Sequence, residues 1–238
     1  MTSQNEFLAG TTVLVAGGSS GIGLATARAA RAAGAEVTVT GRNESRLRAA
    51  GDGIAWRIAD LHDHDTIAAA MPERLDHLVL AAGDAAGIGP VAGLDLASVR
   101  SGLDTKVIGF LGAIQAALPA LRPGGSITLV GAASARNAAP GAVGLAMING
   151  AVEAGVASLA AELAPVRVNA VSPGVVDTAW WSGFPAEARE AVFTQYGKAA
   201  TMGRIATADD VARAILALMT NAYLTGTVLP VDGGPAAA

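Results

Sequence analysis

Two residues stand out for chemistry because each is the single polar member of an apolar helical stripe. Val99, Leu103, Lys106, Phe110, Ala113, Ala117 and Leu121 recur at spacings of three and four, and so do Ala142, Leu145, Asn149, Val152, Val156, Leu159 and Leu163. Each helix therefore aims one polar side chain inward. Lys106 is one of two lysines in a chain with fourteen arginines, and a buried amine needs an acceptor or a lowered pKa because desolvation disfavours its charged form. Such a group serves as a cation or a proton donor. The competing expectation is a helix packed in a subunit interface, with Lys106 reaching past its neighbours to water. Ser134 and Asn137 lie in the loop after a short strand and are placed to reach a small molecule, although small polar loop residues commonly satisfy backbone instead.

A second constellation binds rather than reacts. The stretch AGGSSGIG at 16–23 follows a β-branched run and leads straight into a helix. Gly17, Gly21 and Gly23 permit a tight turn, close approach of a pyrophosphate and close helix packing, and the helix N-terminus offers unpaired N–H groups to phosphate. Ser19, Ser20 and Ile22 complete the loop. With strand before and helix after, the context is that of a dinucleotide site rather than a bare turn. The second strand ends Val-Thr-Gly-Arg. Where a carboxylate would hold the 2′-hydroxyl of NAD stands Gly41, followed by Arg42, so a 2′-phosphate meets a cation and NADP(H) is favoured over NAD(H).

The elements that must position these groups follow from β-branched runs alternating with Ala-rich amphipathic segments, the pattern of β-α units around a parallel sheet. Strands are predicted at 12–16, 36–40, 54–58, 75–81, 126–130, 166–171 and 226–231, with helices near 21–33, 95–121, 142–164 and 207–220. The expectation is one doubly wound α/β domain over 1–238, with seven parallel strands flanked by helices. Residues 177–202 read as a long irregular region. Trp180, Trp181, Phe184, Phe193 and Tyr196 cluster there, and a lid over a substrate would use such side chains.

With 238 residues, 52% of them hydrophobic, the chain can bury a sizeable core. A net charge of -4 and a pI near 5.3 give no basic footprint, so no nucleic acid is expected as a partner. The absence of cysteine excludes disulfides, thiolate chemistry and cysteine-ligated metals and fits the cytoplasm. No basic-then-apolar leader is visible, and apolar runs are broken by Gly, Pro or charge before spanning length, so a soluble protein without membrane contact is expected. His62, Asp63, His64 and Asp65 read as a solvated helix start rather than a metal site, and no metal is expected. Tyr223, before the final strand, is expected to be structural.

Beyond these features, RIADLHD with Asp60 and Leu61, LAAG with Ala82 and Gly83, SPGVVDT at 172–178 and YLTGTVLPVDGG at 223–234 resemble the short-chain dehydrogenase/reductase family over essentially the whole chain. The resemblance implies a Rossmann-type fold and a nicotinamide cofactor. Asp60 falls beside the adenine, and Pro173, Gly174, Val176 and Thr178 fall at the nicotinamide end. It also implies a Ser-Tyr-Lys-Asn set, and here those roles fall on Ala132, Leu145, Asn149 and Lys106. The Asn and Lys have thus exchanged helices, which predicts that Lys106 pairs with Asn149. General acid catalysis contributes about 3 to 5 kcal/mol, whereas positioning hydride donor against acceptor contributes about 7 to 11 kcal/mol, so the larger effect survives the missing tyrosine. The reading is an NADP(H)-dependent oxidoreductase with a non-standard site of Lys106, Asn149 and Ser134. Its substrate is a small apolar or aromatic carbonyl, imine or activated alkene bounded by Trp180, Trp181, Phe184 and Tyr196. The alternative is an inactive NADP(H)-binding sensor or partner subunit. The family's habit of pairing its long helices predicts a homodimer or homotetramer.

Overall fold

The computed structural model describes residues 6–234. Strands β1 (Thr12–Ala16), β2 (Glu36–Gly41) and β3 (Ile54–Ile58) alternate with helices α1 (Gly21–Ala32), α2 (Glu44–Arg48) and α3 (His64–Ala70). Then come β4 (Leu75–Leu80), α4 (Leu96–Leu103), α5 (Gly109–Ala117), β5 (Leu121–Val130), α6 (Val143–Glu162) and β6 (Arg167–Pro173). The two-residue strand β7 (Val176–Asp177), α7 (Ala186–Ala199), the two-residue β8 (Ala206–Thr207), α8 (Ala208–Thr220) and β9 (Val228–Val231) complete the chain. The main sheet has seven strands, all parallel, in the order β3-β2-β1-β4-β5-β6-β9. This is one Rossmann-type α/β domain, and the strand order reverses between β1 and β4. A crevice opens at such a switch point, beyond the carboxyl ends of the strands.

Both faces of the sheet are covered, which is why strands such as β4 and β6 are buried along their full length. On one face Ala27 and Ala30 of α1, Leu47 of α2 and Val211, Ile215 and Leu218 of α8 pack over Val13, Val15 and Val39. On the other, Ile67 of α3, Phe110 and Ile114 of α5, and Val152 and Val156 of α6 cover Leu14, Leu78, Leu80, Ile127 and Leu129.

Three local outcomes differ from the sequence-based expectation. The helix expected at 95–121 ends at Ala117, ahead of Pro119, and a π turn at Asp104–Ile108 joins α4 to α5. There the Gly109 N–H reaches back five residues to the Asp104 carbonyl. The region 177–202, read as irregular, instead holds a 3-10 turn at Ala179–Gly183 and the four-turn helix α7. Pro185 stands at the N-cap of α7, Glu187 lies in its first turn and Lys198 in its last. These charges oppose the helix dipole correctly, and the segment between them is rich in helix formers. Finally, α6 is long and apolar enough, by length and composition alone, to cross a membrane, with a mean hydropathy of 1.5. That corrects the expectation that every apolar run stops short of spanning length, although the helix lies against the sheet through Val152, Val156 and Ala160.

At the amino end of the sheet a buried polar pair crosses from β4 to β5, where His77 Nδ1 lies 2.8 Å from Ser126 Oγ. Burial pushes the His77 imidazole down to about 4, the nearby Asp76 carboxylate opposing this and Arg167 adding to it. Because the folded value lies below the ordinary 6.5, the unfolded chain takes up a proton between pH 6.5 and 4 that the folded chain refuses. Stability is therefore fully present above pH 6.5 and is lost on acidification through pH 4, by on the order of 3 kcal/mol. Urea denaturation at steps from pH 7 to 4 should show this slope, and His77→Gln should flatten it.

Candidate active site

A cleft of about 900 Å³ runs along the carboxyl edge of the sheet and over the switch point. At its adenine end the glycine loop is shaped by contacts that leave no room for side chains. Gly17 has φ +80°, and a Cβ placed there would lie 2.6 Å from the Ala82 N. A Cβ on Gly23 would strike the Gly17 carbonyl. Gly23 does not line the cleft; it lets α1 approach the loop, while Gly17, Ser19, Ser20, Gly21 and Ile22 do line it. Ser20 stands at the N-cap of α1 without making a side-chain cap, so the first N–H groups of α1 have no side-chain acceptor there. A pyrophosphate would satisfy them.

Arg42 lines the same end, exposed, at the carboxyl end of β2. A second cation that sequence reasoning missed lies beside it: Arg46, one turn along α2, also lines the cleft. The signal was readable, because Asn43 caps α2 by accepting from the Arg46 N–H at 3.0 Å and so fixes where Arg46 starts. Asp60, Leu61, Ala82 and Gly83 line the cleft on the adenine and central side, and Pro173, Gly174, Val176 and Thr178 line its opposite end. His62, expected in a solvated loop, also lines the cleft, with its Nε2 2.8 Å from Thr105 Oγ1 on the π turn. Among the described residues no group of three or more His, Cys, Asp or Glu is arranged to hold a metal ion. These residues fit a dinucleotide by donor chemistry and by shape.

The centre of the cleft holds the polar group. Lys106 Nζ donates to Asn149 Oδ1 at 2.7 Å and to the Val130 carbonyl at 3.0 Å. Asn149, fully buried, donates through Nδ2 to the Leu145 carbonyl at 2.9 Å and to Ser134 Oγ at 3.2 Å. The directions are forced. An ammonium can only donate, so the amide oxygen of Asn149 faces Lys106 and its NH₂ faces Ser134. Ser134 therefore accepts from Asn149 and keeps its own hydrogen for another partner. Both Lys106 and Ser134 line the cleft.

Lys106 reaches this place because of two backbone features. The π turn carries it, and Gly83 lies under it: a Cβ on Gly83 would come within 2.7 Å of Lys106 Cε. Desolvation pushes the Lys106 ammonium down to about 8, while Asp84 and then Glu153 favour its charge. Glu153 corrects the expectation that Asn149 is the only polar group α6 turns inward. Its side chain is 10% exposed, four residues beyond Asn149; it accepts from Ser172 Oγ at 2.5 Å and pairs with Arg136 at 3.4 Å. An i, i+4 step from Asn149 was the signal that could have found it.

Ala132 and Leu145, to which the resemblance assigns the Ser and Tyr roles, line the cleft and offer only carbon side chains. Above them Trp180, Trp181, Phe184 and Tyr196 line the cleft from the 3-10 turn and α7. Trp180 stacks on Phe184 at 5.3 Å, and Trp181 meets Phe193 edge-on at 5.4 Å. The Trp181 Nε1–H is anchored to the Val176 carbonyl at 3.0 Å. Tyr223, 98% exposed, is remote from all of this.

The whole chain has counterparts among known proteins. A family profile described as enoyl-(acyl carrier protein) reductase matches residues 16–235. A short-chain dehydrogenase/reductase, ATR9, of Stachybotrys chlorohalonatus is 31% identical, covering 94% of this chain and 96% of the relative. A cis-4-hydroxycyclohexanecarboxylate dehydrogenase of Sinomonas cyclohexanicum is 34% identical, covering 97% and 98% respectively. A solved small-chain dehydrogenase in complex with NADPH superimposes with a TM-score of 0.79 at 31% identity, covering 94% of this chain and 97% of that one. Full-length similarity at this level, on a seven-stranded sheet wound in the order described, places the chain in the short-chain dehydrogenase/reductase family of oxidoreductases.

Proposed function

We propose that the protein is an NADP(H)-dependent reductase of a small apolar or aromatic carbonyl, imine or activated alkene, working with a hydrogen-bonded chain of Lys106, Asn149 and Ser134. The observation that carries this reading is the directed chain itself, which runs from an ammonium through a buried amide to a hydroxyl on the cleft wall. NADPH, when bound, supplies a hydride. Gly17, Gly21 and the open N-terminus of α1 would hold its pyrophosphate, Arg42 and Arg46 its 2′-phosphate, Asp60 and Leu61 its adenine, and Pro173, Gly174, Val176 and Thr178 its nicotinamide end. Support for NADP(H) comes from the two arginines and from the NADPH-bound relative.

The chain's own residues do the rest. Ser134 donates to the heteroatom of the substrate as negative charge develops there, and the Lys106 charge, relayed through the Asn149 amide, strengthens that donation. Two of the three Lys106 N–H groups are bound to Val130 and Asn149, which leaves the third to face the cleft as proton donor. For an imine or an activated alkene the same groups orient the substrate, and the Lys106 ammonium or water supplies the proton that completes hydride addition. The aromatic segment at 177–202 acts as the lid that excludes water. The exposed apolar residues Ile108 and Leu111 along α5 and its preceding turn, with Met147 on α6, form the contact of a homodimer or homotetramer.

Calorimetry should find NADP bound at least about ten-fold more tightly than NAD, with Arg42→Ala or Arg46→Ala losing most of that margin and leaving NAD affinity as it was. NAD preferred in the parent would refute the cofactor assignment. NADPH oxidation over a panel of ketones, imines and enones should decline as pH rises through about 8, where Lys106 loses its proton. Lys106→Met should abolish that limb and lower kcat by about ten- to a thousand-fold. Gly83→Ala, which displaces the Lys106 head, should reproduce part of the loss. NADPH binding without turnover of any class would return the chain to the nucleotide-binding sensor. Light scattering should give two or four times the 23.5 kDa of one chain, and Leu111→Lys should reduce it.

A further inference from the structure

Reduction accounts for Lys106, Asn149 and Ser134 and gives Asp84, a carboxylate of the cleft wall that favours the Lys106 charge at longer range, no role toward the substrate. Asp84 follows Gly83 directly, at the point where the Lys106 side chain crosses the backbone. Its carboxylate is exposed to the cleft, and Oδ1 accepts from the Ala86 N–H at 3.1 Å. That turn contact occupies one oxygen. Among the described residues Asp84 makes no ion pair with any arginine, lysine or histidine. The other carboxylates on the cleft wall have different settings: Asp60 lies at the adenine end, where Oδ1 takes the His62 N–H, and Asp232 accepts from the Gly234 N–H. Ala85, Ile88, Pro140 and Leu145 are apolar members of the same cleft wall.

The second observation is the aromatic surface in the same cleft. Trp180 and Phe184 are stacked, Trp181 meets Trp180 edge-on at 4.7 Å, and all three line the cleft. A carboxylate and indole faces on the wall of one cleft are the chemistry that recognises an ammonium group, through a charge-assisted hydrogen bond and cation–π attraction. The ammonium cannot be the reacting centre, because Lys106 is itself cationic beneath the reacting position. The substrate must therefore separate its positive charge from its reducible bond.

We propose that Asp84 is a specificity-determining residue that selects carbonyl substrates carrying an ammonium group, held by its carboxylate and the Trp180–Phe184 surface while the carbonyl faces Ser134. This rests on the reductase reading, and the two can be separated by experiment. The matched probes are 4-(aminomethyl)acetophenone, cationic at neutral pH, and 4-(hydroxymethyl)acetophenone, its neutral counterpart. Binding of each to the NADPH-loaded protein is followed by quenching of tryptophan fluorescence at low salt, and turnover by NADPH oxidation.

The expected result is a preference of about ten-fold in Kd for the cationic probe, reduced to about two-fold or less by Asp84→Asn and retained by Asp84→Glu. The affinity for NADPH serves as the control that each variant is folded. Equal binding of the two probes, binding of neither, or a preference that survives Asp84→Asn would overturn the assignment of Asp84. A preference lost on Asp84→Asn without oxidation of NADPH by either probe would leave Asp84 standing and count against reduction. Oxidation of both without preference would do the reverse.

Discussion

A buried ammonium cannot be left without acceptors, and much of the site follows from meeting that demand at Lys106. Desolvation alone disfavours its charge strongly, and the fold answers with the Val130 carbonyl, the Asn149 amide oxygen and two carboxylates at longer range. Each answer constrains another element. The Val130 carbonyl ties Lys106 to the end of β5, and the π turn brings the side chain to that height. Gly83 must lack a Cβ for the chain to pass. Asn149, once its oxygen is committed, has no freedom in how it presents its NH₂, so the orientation of the Ser134 hydroxyl is set two steps away from the charge. Removal of one member would leave the others with unpaired buried groups, which are more expensive than the bonds they make are favourable.

The cleft divides its electrostatic labour along its length. At one end Arg42 and Arg46 stand exposed on the cleft wall. In the middle a single cation is held in a dry setting where its influence on a neighbouring oxygen is greatest. At the far end the aromatic segment contributes surface through Trp180, Trp181 and Phe184. Under the proposed function, phosphate recognition, charge stabilisation and exclusion of water would thereby be kept apart. The similarity to oxidoreductases of the short-chain dehydrogenase/reductase family covers the chain through all three zones.

Much of this was legible in the residues before any coordinates. The seven strands fall close to where β-branched runs placed them, because a parallel sheet buried on both faces needs nearly continuous apolar stretches. The meeting of Lys106 with Asn149 follows from each being the lone polar residue on its stripe. What was not legible has physical reasons. The π turn leaves no mark in composition, since it changes only which carbonyl one N–H chooses. α7 was hidden because its hydrophobic face is weak; its helical state rests on propensity and end charges rather than on a clear apolar stripe. β5 begins at Leu121, five residues before the apolar run, because Leu121 pairs with Leu75; the register then shifts and the ladder resumes at Ser126 opposite His77, so Arg122 to Gly125, which carry no strand signal, are an irregularity within the strand. Asp84 and Arg46 are ordinary surface residues by pattern and acquire meaning only from the wall they join.

The short parallel pairing of Val176 with Ala206 and Asp177 with Thr207 brings together the two ends of the aromatic segment. Between those ends the segment is also tied to the body where the Thr201 and Met202 N–H groups donate to the Gly234 and Gly233 carbonyls. Such a segment is a cassette: its length, helix content and aromatic complement can be exchanged between the fixed ends without altering a strand of the main sheet. Variation confined to 179–199 would therefore change the aromatic wall of the cleft while leaving Thr178 and the strands of the main sheet as they are.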